Sequence, residues 1–454
     1  MAKARIMTEG KEWKSILMFA LPLMAGNALQ QLYNTVDGII VGNFVGDTAL
    51  AAVGACSPLT MVFIALALGM SNGSAVVTGQ YYGARKLDEM RRAVSTSIIL
   101  LLVLGVAFSV LGVIVARPML SGLMKVSAPY IEYAVDYFSI YAIGLVFQFA
   151  YNIFAAVLRA LGDSKATLYF LIISSITNTV LDLLFVVGFR WEVAGAAIAT
   201  VISQALSAVC AAVYMNRKYE ILRFKRGEFR FHKASALLTM RIAVPSTMTQ
   251  AVVSCGNLAL QRIINDFGAV YMGLMSGNTA GTRLESFVMI PIFSFNTAQA
   301  TFTSQNIGAG KLDRVRRGRN AGLIMGLICC AAISALTFVF RAPLVSLFGV
   351  SAEGLAYGML HLTILCPSLL LFCLHMTTSG ILHGAGDAKF GAFMTLSSFL
   401  IRLAAAYILA YATPLEYLAV WVSTPIGWLY NLAVCWGRYY SGAWKKKGIA
   451  HIKT

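Results

Sequence analysis

The amino-acid sequence predicts an all-α polytopic membrane protein with twelve transmembrane helices in two parallel six-helix repeats. Three observations carry this. Hydrophobic residues make up 58% of the 454 residues and charged residues 12%, roughly half the charged share of an ordinary water-soluble domain. Apolar stretches of at least 18 residues recur twelve times, each long enough to cross a hydrocarbon core of about 30 Å. The chain also repeats itself: Q-Y-Y-G-A-R-K-L-D-E-M-R-R at 80–92 returns as Q-N-I-G-A-G-K-L-D-R-V-R-R at 305–317, an offset of 225. Gly-Asp-Ser-Lys at 162–165 returns as Gly-Asp-Ala-Lys at 386–389, an offset of 224, with Leu158 and Leu382 before them at the same spacing. An offset near half the chain length marks one unit duplicated, and in a membrane protein such a duplication suggests two lobes around a shared path.

The spans of the first half are 15–40, 50–81, 93–116, 132–158, 167–188 and 194–214, and those of the second are 237–264, 270–303, 320–340, 355–382, 390–412 and 416–436. All are expected to be helical, because in lipid a backbone segment must satisfy its own hydrogen bonds. The first apolar run follows basic residues, as a secretory leader would. It contains Asn27, Gln30, Gln31, Asn34 and Asp37 and lacks a small-residue cleavage pattern, so it reads as a retained helix. With the N-terminus inside, 29 Lys and Arg fall in inner loops and tails and only Arg117, Lys125, Arg190 and Arg341 in outer ones. That bias puts both termini in the cytoplasm. Six spans per half start both repeats on the same side, hence parallel repeats. The domains expected are an N-lobe at 1–214, a basic cytoplasmic linker at 215–236 and a C-lobe at 237–454. The linker reads chiefly as a topology signal, with an amphipathic segment on the inner leaflet as the alternative.

Several function classes lose support. The net charge of +17 lies in juxtamembrane loops, which suits anionic lipid headgroups better than nucleic acid. The eight cysteines contain no C-x-x-C pair and read as small core residues. There is no G-x-x-x-x-G-K-[ST] for ATP and no H-E-x-x-H for zinc. His361 and His375 read as satisfied polar residues inside the bundle. No nucleophile–base constellation argues for an enzyme, no cofactor is expected, and the two-lobe repeat argues against a passive pore.

What remains is polarity buried in helices. Gln30, Asn34 and Asp37 form one stripe on the first span, with Asn27 at its start, and Ser174, Asn178 and Asp182 form another on the fifth. The fourth span adds Gln148 and Asn152. Such stripes are expected to face a cavity, and carboxylates at membrane depth usually line ion, proton or substrate paths. An offset of 223 sets Asp37 opposite Leu260, and one of 224 sets Asn178 opposite Arg402, Asp182 opposite Ala406 and Thr200 opposite Thr424, so the carboxylate pair belongs to the first half. The second half offers Gln250, Ser254, Asn257 and Gln261 in one stripe, with Arg262, Arg283, Glu285 and Arg402 inside spans. Glu285 either pairs with Arg283 or binds a ligand.

With A-L-P-L-M-A in the first helix, a late Asp37, Q-x-x-G-A-x-K-L-D after both second spans, L-R-A-L-G-D-S-K and N-x-x-x-D at Asn178/Asp182, the chain resembles the multidrug and toxic compound extrusion (MATE) transporters over its whole length, most closely the prokaryotic branch with an N-lobe cation site. The resemblance implies a V-shaped central cleft and export of cationic or amphipathic drugs in exchange for protons or sodium ions by alternating access. It assigns Asp37, Asn178, Asp182 and Thr200 to the ion-coupling site, as possible sodium ligands or proton carriers, and Tyr33 and Asn152 to its surroundings. It makes Pro22 the hinge of the first helix. Tyr33, Asn34, Gln30, Gln148, Asn152, Gln250, Asn257 and Glu285 are the expected substrate-cavity residues. Some members carry an acidic residue in the seventh helix where this chain has Gln250, which puts a C-lobe sodium site of that sort in doubt. The chain is expected to be a monomer in the plasma membrane, a bacterial inner membrane. Two carboxylates facing one another in a desolvated lobe do not both stay ionised without a cation, so drug and ion would compete for one negative charge. A flippase for lipid-linked oligosaccharides is the rival within transport, though its cavity would call for more cationic residues.

Overall fold

The computed structural model describes residues 6–44, 47–123, 128–224 and 227–448, and among them only helices and connecting turns occur. The helices are α1 (Glu12–Phe44), α2 (Asp47–Gly83), α3 (Leu87–Pro118), α4 (Ala128–Ile143), α5 (Leu145–Ala160), α6 (Ser164–Asp182) and α7 (Glu192–Lys218), followed by α8 (Lys233–Gly268), α9 (Leu274–Gly308), α10 (Leu312–Val339), α11 (Arg341–Ser346), α12 (Ala352–Gly384), α13 (Ala388–Ala412) and α14 (Leu418–Tyr440). Among the described residues nine helices are by themselves long and apolar enough to span a membrane, and the bent pair α4/α5 makes ten. The other two predicted spans fall on α8 and α9, which have the length, 36 and 35 residues, but carry Gln261 and Arg262, and Arg283 and Glu285, in their interiors. The protein is thus an all-helical, multi-pass membrane protein of two repeats.

The predicted span 132–158 is not one straight helix. It breaks at Gly144 with a bend of 44° between α4 and α5. Backbone groups freed at such a break need partners in lipid, and Ser109 of α3 supplies them: its hydroxyl donates to the Ile143 carbonyl at 3.3 Å and accepts from the Val146 N–H at 3.2 Å.

The repeated Gly-Asp-x-Lys motif is a helix stop followed by a helix start. Gly162 and Gly386 have φ of 84° and 85°, the left-handed conformation that a helix C-terminus favours and that glycine adopts without strain. The Asp163 N–H returns to the Leu158 carbonyl at 2.9 Å and the Asp387 N–H to that of Leu382 at 3.0 Å, which explains the constant leucine spacing. Both aspartates also hold a cation from the last long helix of their repeat: Asp163 meets Lys218 Nζ at 3.0 Å, and Asp387 meets Arg438 Nε at 2.8 Å.

Burial pushes the Asp163 carboxyl up, but hydrogen bonds from Tyr219, Lys218 and Tyr214 and the Lys218 charge outweigh it and hold the group below the usual carboxylate range. A depressed folded pKa adds stability above the ordinary carboxylate range that is lost as pH falls through the depressed value. Asp163→Asn should therefore lower stability at neutral pH by about 2 kcal/mol. The difference from wild type should shrink in acid, as thermal melts between neutral pH and pH ~3 would show.

The chain forms two compact units, and their boundaries lie within helices. The first is built on Ala25–Thr247, and the second combines Met7–Met24 with Met248–Lys453. The units drawn from sequence, 1–214 and 237–454, thus differ from these at α1 and α8. Each switch comes shortly after an intrahelical proline, Pro22 in α1 and Pro245 in α8.

In the second unit, Ile16, Phe19 and Ala20 pack on Phe295, Ala298 and Phe302 of α9. Ahead of them the Met7 N–H donates to Gln305 Oε1 at 2.8 Å. Arg314 donates to the carbonyls of Met7 (3.3 Å), Glu9 (2.8 Å) and Gly10 (2.7 Å), and lies 3.3 Å from the Glu12 carboxylate. In the first unit α8 approaches α2 through Gly69 and Gly73, where added Cβ atoms would lie 2.4 Å from Thr247 and 2.6 Å from Ala243, a small-x-x-x-small contact. The linker is tied to α3: Arg91 donates to the Arg223 carbonyl at 2.7 Å and pairs with Glu228, the Ser95 hydroxyl donates to the Arg230 carbonyl at 2.9 Å, and the His232 N–H donates to Thr96 Oγ1 at 3.1 Å. It is a docked segment, more than the topology signal expected from sequence.

Candidate functional site

In the first unit α6 and α7 run antiparallel, and polar groups join them at successive turns. The Ser207 hydroxyl donates to the Phe170 carbonyl at 3.1 Å and the Ser174 hydroxyl to the Ser203 carbonyl at 3.4 Å. One turn further stands Asn178. A carboxylate can only accept, so the amide nitrogen of Asn178 faces Asp182 Oδ2 at 2.6 Å and its oxygen accepts the Thr200 N–H at 3.2 Å. The Thr200 hydroxyl donates to the Ala196 carbonyl at 3.0 Å. Asn178 and Asp182 are fully buried, and Thr200 is half-buried. The Ser174–Asn178–Asp182 stripe was expected to face a cavity, yet Ser174 and Asn178 face α7, because small polar side chains in a membrane helix find their partners on the neighbouring helix. Directly after Asp182 the helix widens into a π turn, Leu183–Gly188. Such turns are common at functional sites, and nothing in the sequence marks this one.

Asp37 lies on α1, and its side chain, like that of Asn34, lies outside the described residues. Gln30 and Tyr33 are half-buried on the same helix, and both belong to the first unit. Asn152 is buried and donates to the Gln148 carbonyl of its own helix at 2.8 Å, while the Gln148 side-chain oxygen is buried with no hydrogen-bond partner among the described residues. Pro22 sits inside continuous helix α1 and belongs to the second unit.

The second unit repeats the α6–α7 contact in α13–α14. Ser398, one repeat offset from Ser174, donates to the Gly427 carbonyl at 2.8 Å, and Gly427 is the same offset from Ser203. Arg402 occupies the Asn178 position, and Ala406, at the Asp182 position, is apolar core. Gln250 is half-buried, with its backbone carbonyl accepting from Ser254 at 3.1 Å, and Asn257 is exposed. Glu285 does not pair with Arg283 among the described ion pairs, since residues two apart leave a helix in different directions. Its neighbour is His361 on α12, with Nε2 3.6 Å from Oε2. The reading of the two histidines as satisfied is corrected: His361 Nδ1 and both ring nitrogens of His375 are buried without hydrogen-bond partners among the described residues. The Asn278–Gly281–Glu285 spacing on α9 is the sequence signal that could have drawn attention to this cluster.

A family model described as MatE matches residues 22–184 and again 245–408, so the two matches begin at Pro22 and Pro245 and together cover well over half the chain. The chain belongs to the MatE family. Its MatE relatives include the probable multidrug resistance protein YoeA of Bacillus subtilis, 29% identical over 448 residues, covering 97% of this chain and 96% of that one. YpnP of Bacillus subtilis, also described as a probable multidrug resistance protein, is 28% identical over 443 residues and 98% of both chains. A solved structure described as the outward-facing conformation of a multidrug resistance MATE family transporter of the MOP superfamily matches with a TM-score of 0.90 at 25% identity, over 98% of this chain and 99% of that one.

Proposed function

We propose that the protein is a secondary active multidrug exporter that exchanges cationic or amphipathic drugs for protons or sodium ions by alternating access. The observation that carries this reading is the Asp182 carboxylate, fully buried in a membrane helix bundle and held by Asn178. Such a group is costly at membrane depth and is usually kept for an ion or substrate path. Asp37 of α1 supplies the second carboxylate in this proposal, and the Thr200 and Asn178 oxygens suit a hard cation or a hydrated proton. A bound proton or sodium ion neutralises the pair, and so does a cationic drug, so each displaces the other. Tyr33, Asn34, Gln30, Gln148 and Asn152 line the drug path in the first unit, and Gln250, Asn257 and Glu285 in the second. Both termini and the basic loops face the cytoplasm of a bacterial cell, on the side of the anionic lipids, and the chain acts as a monomer. The oligosaccharide flippase reading finds no support: Arg262, Arg283 and Arg402 are few cations for a cavity that would hold a pyrophosphate.

Dye efflux from vesicles holding the purified protein tests the proposal. Uphill efflux should appear with an imposed proton or sodium gradient and stop when the gradient is collapsed. Efflux that ignores both gradients would contradict it.

Pro22 is proposed as a hinge, since a proline removes one backbone hydrogen bond of α1 close to where the chain changes unit. Pro22→Ala should slow gradient-driven efflux several-fold while leaving drug binding unchanged, and wild-type rates across pH and sodium concentration would remove the hinge from the mechanism.

A further inference from the structure

In the second unit the position equivalent to Asn178 holds an arginine, and around it stands an ionisable cluster of different composition. Arg402 on α13 is half-buried, its Nε has no hydrogen-bond partner among the described residues, and it lies within electrostatic range of Glu285 of α9. Glu285 lies against His361 of α12. The His361 ring is 3% exposed and stacks on Trp421 of α14, with centroids 5.0 Å apart and planes at 12°. On α9 the ring is packed so closely that a Cβ at Gly281 would lie 2.4 Å from Nδ1. The Trp421 indole N–H donates to Asn278 Oδ1 at 3.0 Å, which fixes the ring on which the imidazole rests.

We propose that His361, Glu285 and Arg402 form a second proton-binding site, in the second unit and separate from the Asp182 site of the first. Arginine keeps its charge in proteins, so Arg402 is not the group that releases or takes up a proton. The group left to exchange a proton is the imidazole, and neither of its nitrogens is committed. Nδ1 has no hydrogen-bond partner among the described residues, and Nε2 is 3.6 Å from Oε2, beyond a normal hydrogen bond. An added proton forms an N–H bond on the ring. The resulting imidazolium meets the Glu285 carboxylate on one side and the electron-rich face of Trp421 on the other. On the Gly281 side Nδ1 has no room even for a methyl group, and no cluster of three His, Cys, Asp or Glu suited to a metal occurs among the described residues.

The ionisable neighbours on the surrounding helices leave Glu285 as the acidic partner. Cys366 on α12 feels Glu285, Cys330 of α10 and Arg341 of α11. Tyr357 of α12 packs edge-on against Tyr417, and Tyr417 packs edge-on against Trp421. Arg283, on α9 itself, is exposed.

The test reads proton uptake directly, in the purified full-length protein and without transport. An imidazolium stacked on an indole quenches its emission, so wild-type tryptophan fluorescence should show a pH-dependent step between pH ~4.5 and ~9, spanning the usual histidine range. That step should be lost in Trp421→Phe and in His361→Gln, and should be displaced by about one pH unit or more in Glu285→Gln. It should persist in Asp182→Asn, because the two sites are separate. Ring-nitrogen NMR of selectively labelled histidine in the wild type should show His361 changing protonation over the same step, a readout that does not depend on any variant folding. A His361 ring that keeps one protonation state throughout would overturn the proposal, as would a step that survives in His361→Gln, keeps its midpoint in Glu285→Gln or vanishes in Asp182→Asn.

Discussion

Asp182→Asn should yield a folded protein that no longer couples drug efflux to an ion gradient, with uphill dye transport in vesicles falling at least about a hundredfold, toward the level of empty vesicles. The substitution preserves volume and removes the charge that, in the proposed mechanism, ion and drug share. Folding should survive, because replacing a buried carboxylate by an amide removes a desolvation penalty. The Asn178 amide, which faces Asp182 Oδ2 at 2.6 Å, still finds an oxygen there. Asp37→Asn should behave alike, since one remaining carboxylate lacks the paired charge. Uphill transport at the wild-type rate by either variant, in the same vesicles and with the same gradient, would remove that residue from the coupling site.

Arg314→Ala should cost about 3 kcal/mol or more of stability, the penalty of breaking a buried charge pair. Its guanidinium joins the carbonyls of Met7, Glu9 and Gly10 to the Glu12 carboxylate and lies over the Phe302 ring, 5.5 Å from its centroid. Deleting it leaves those carbonyls short of a donor and leaves Glu12 with Arg317, 2.8 Å away. Thermal melts in detergent would measure the loss. Arg317→Ala serves as the comparison, because its side chain is 64% exposed and an exposed pair adds no more than about 1 kcal/mol. Equal losses in the two variants would show that the segment before α1 is not held by Arg314.

Sequence alone revealed the duplication because both halves end and start helices with the same local chemistry: Gly162–Asp163 and Gly386–Asp387 make the same turn with the same backbone bonds. It revealed Asn178 and Asp182 because a four-residue spacing puts two side chains on one helix face, where the fold brings them into contact. The unit boundaries were not legible, since the helical pattern of α1 and α8 continues unbroken through Met24 and Thr247, and only packing says which unit each stretch joins. The break at Gly144 was hidden for a related reason: the apolar run is continuous, and the Ser109 hydroxyl that makes the break tolerable comes from another helix. His361 was misread because a lone histidine in a span carries no local sign of its neighbours. Glu285, on α9, and Trp421, on α14, come from two other helices, and nothing in the local sequence discloses that they meet the ring.

The central claim is that drug and coupling ion compete for one buried negative charge, and ion release on drug binding tests it most directly. In weakly buffered detergent solution, a cationic dye added to the purified protein should release protons, or sodium ions if the protein was loaded with sodium, in a fixed ratio to the dye bound. Raising the ion concentration should weaken dye binding in proportion, and Asp182→Asn should release no ion at all. Dye that binds to the wild type with no ion released, and with an affinity unchanged across pH and sodium concentration, would contradict the account.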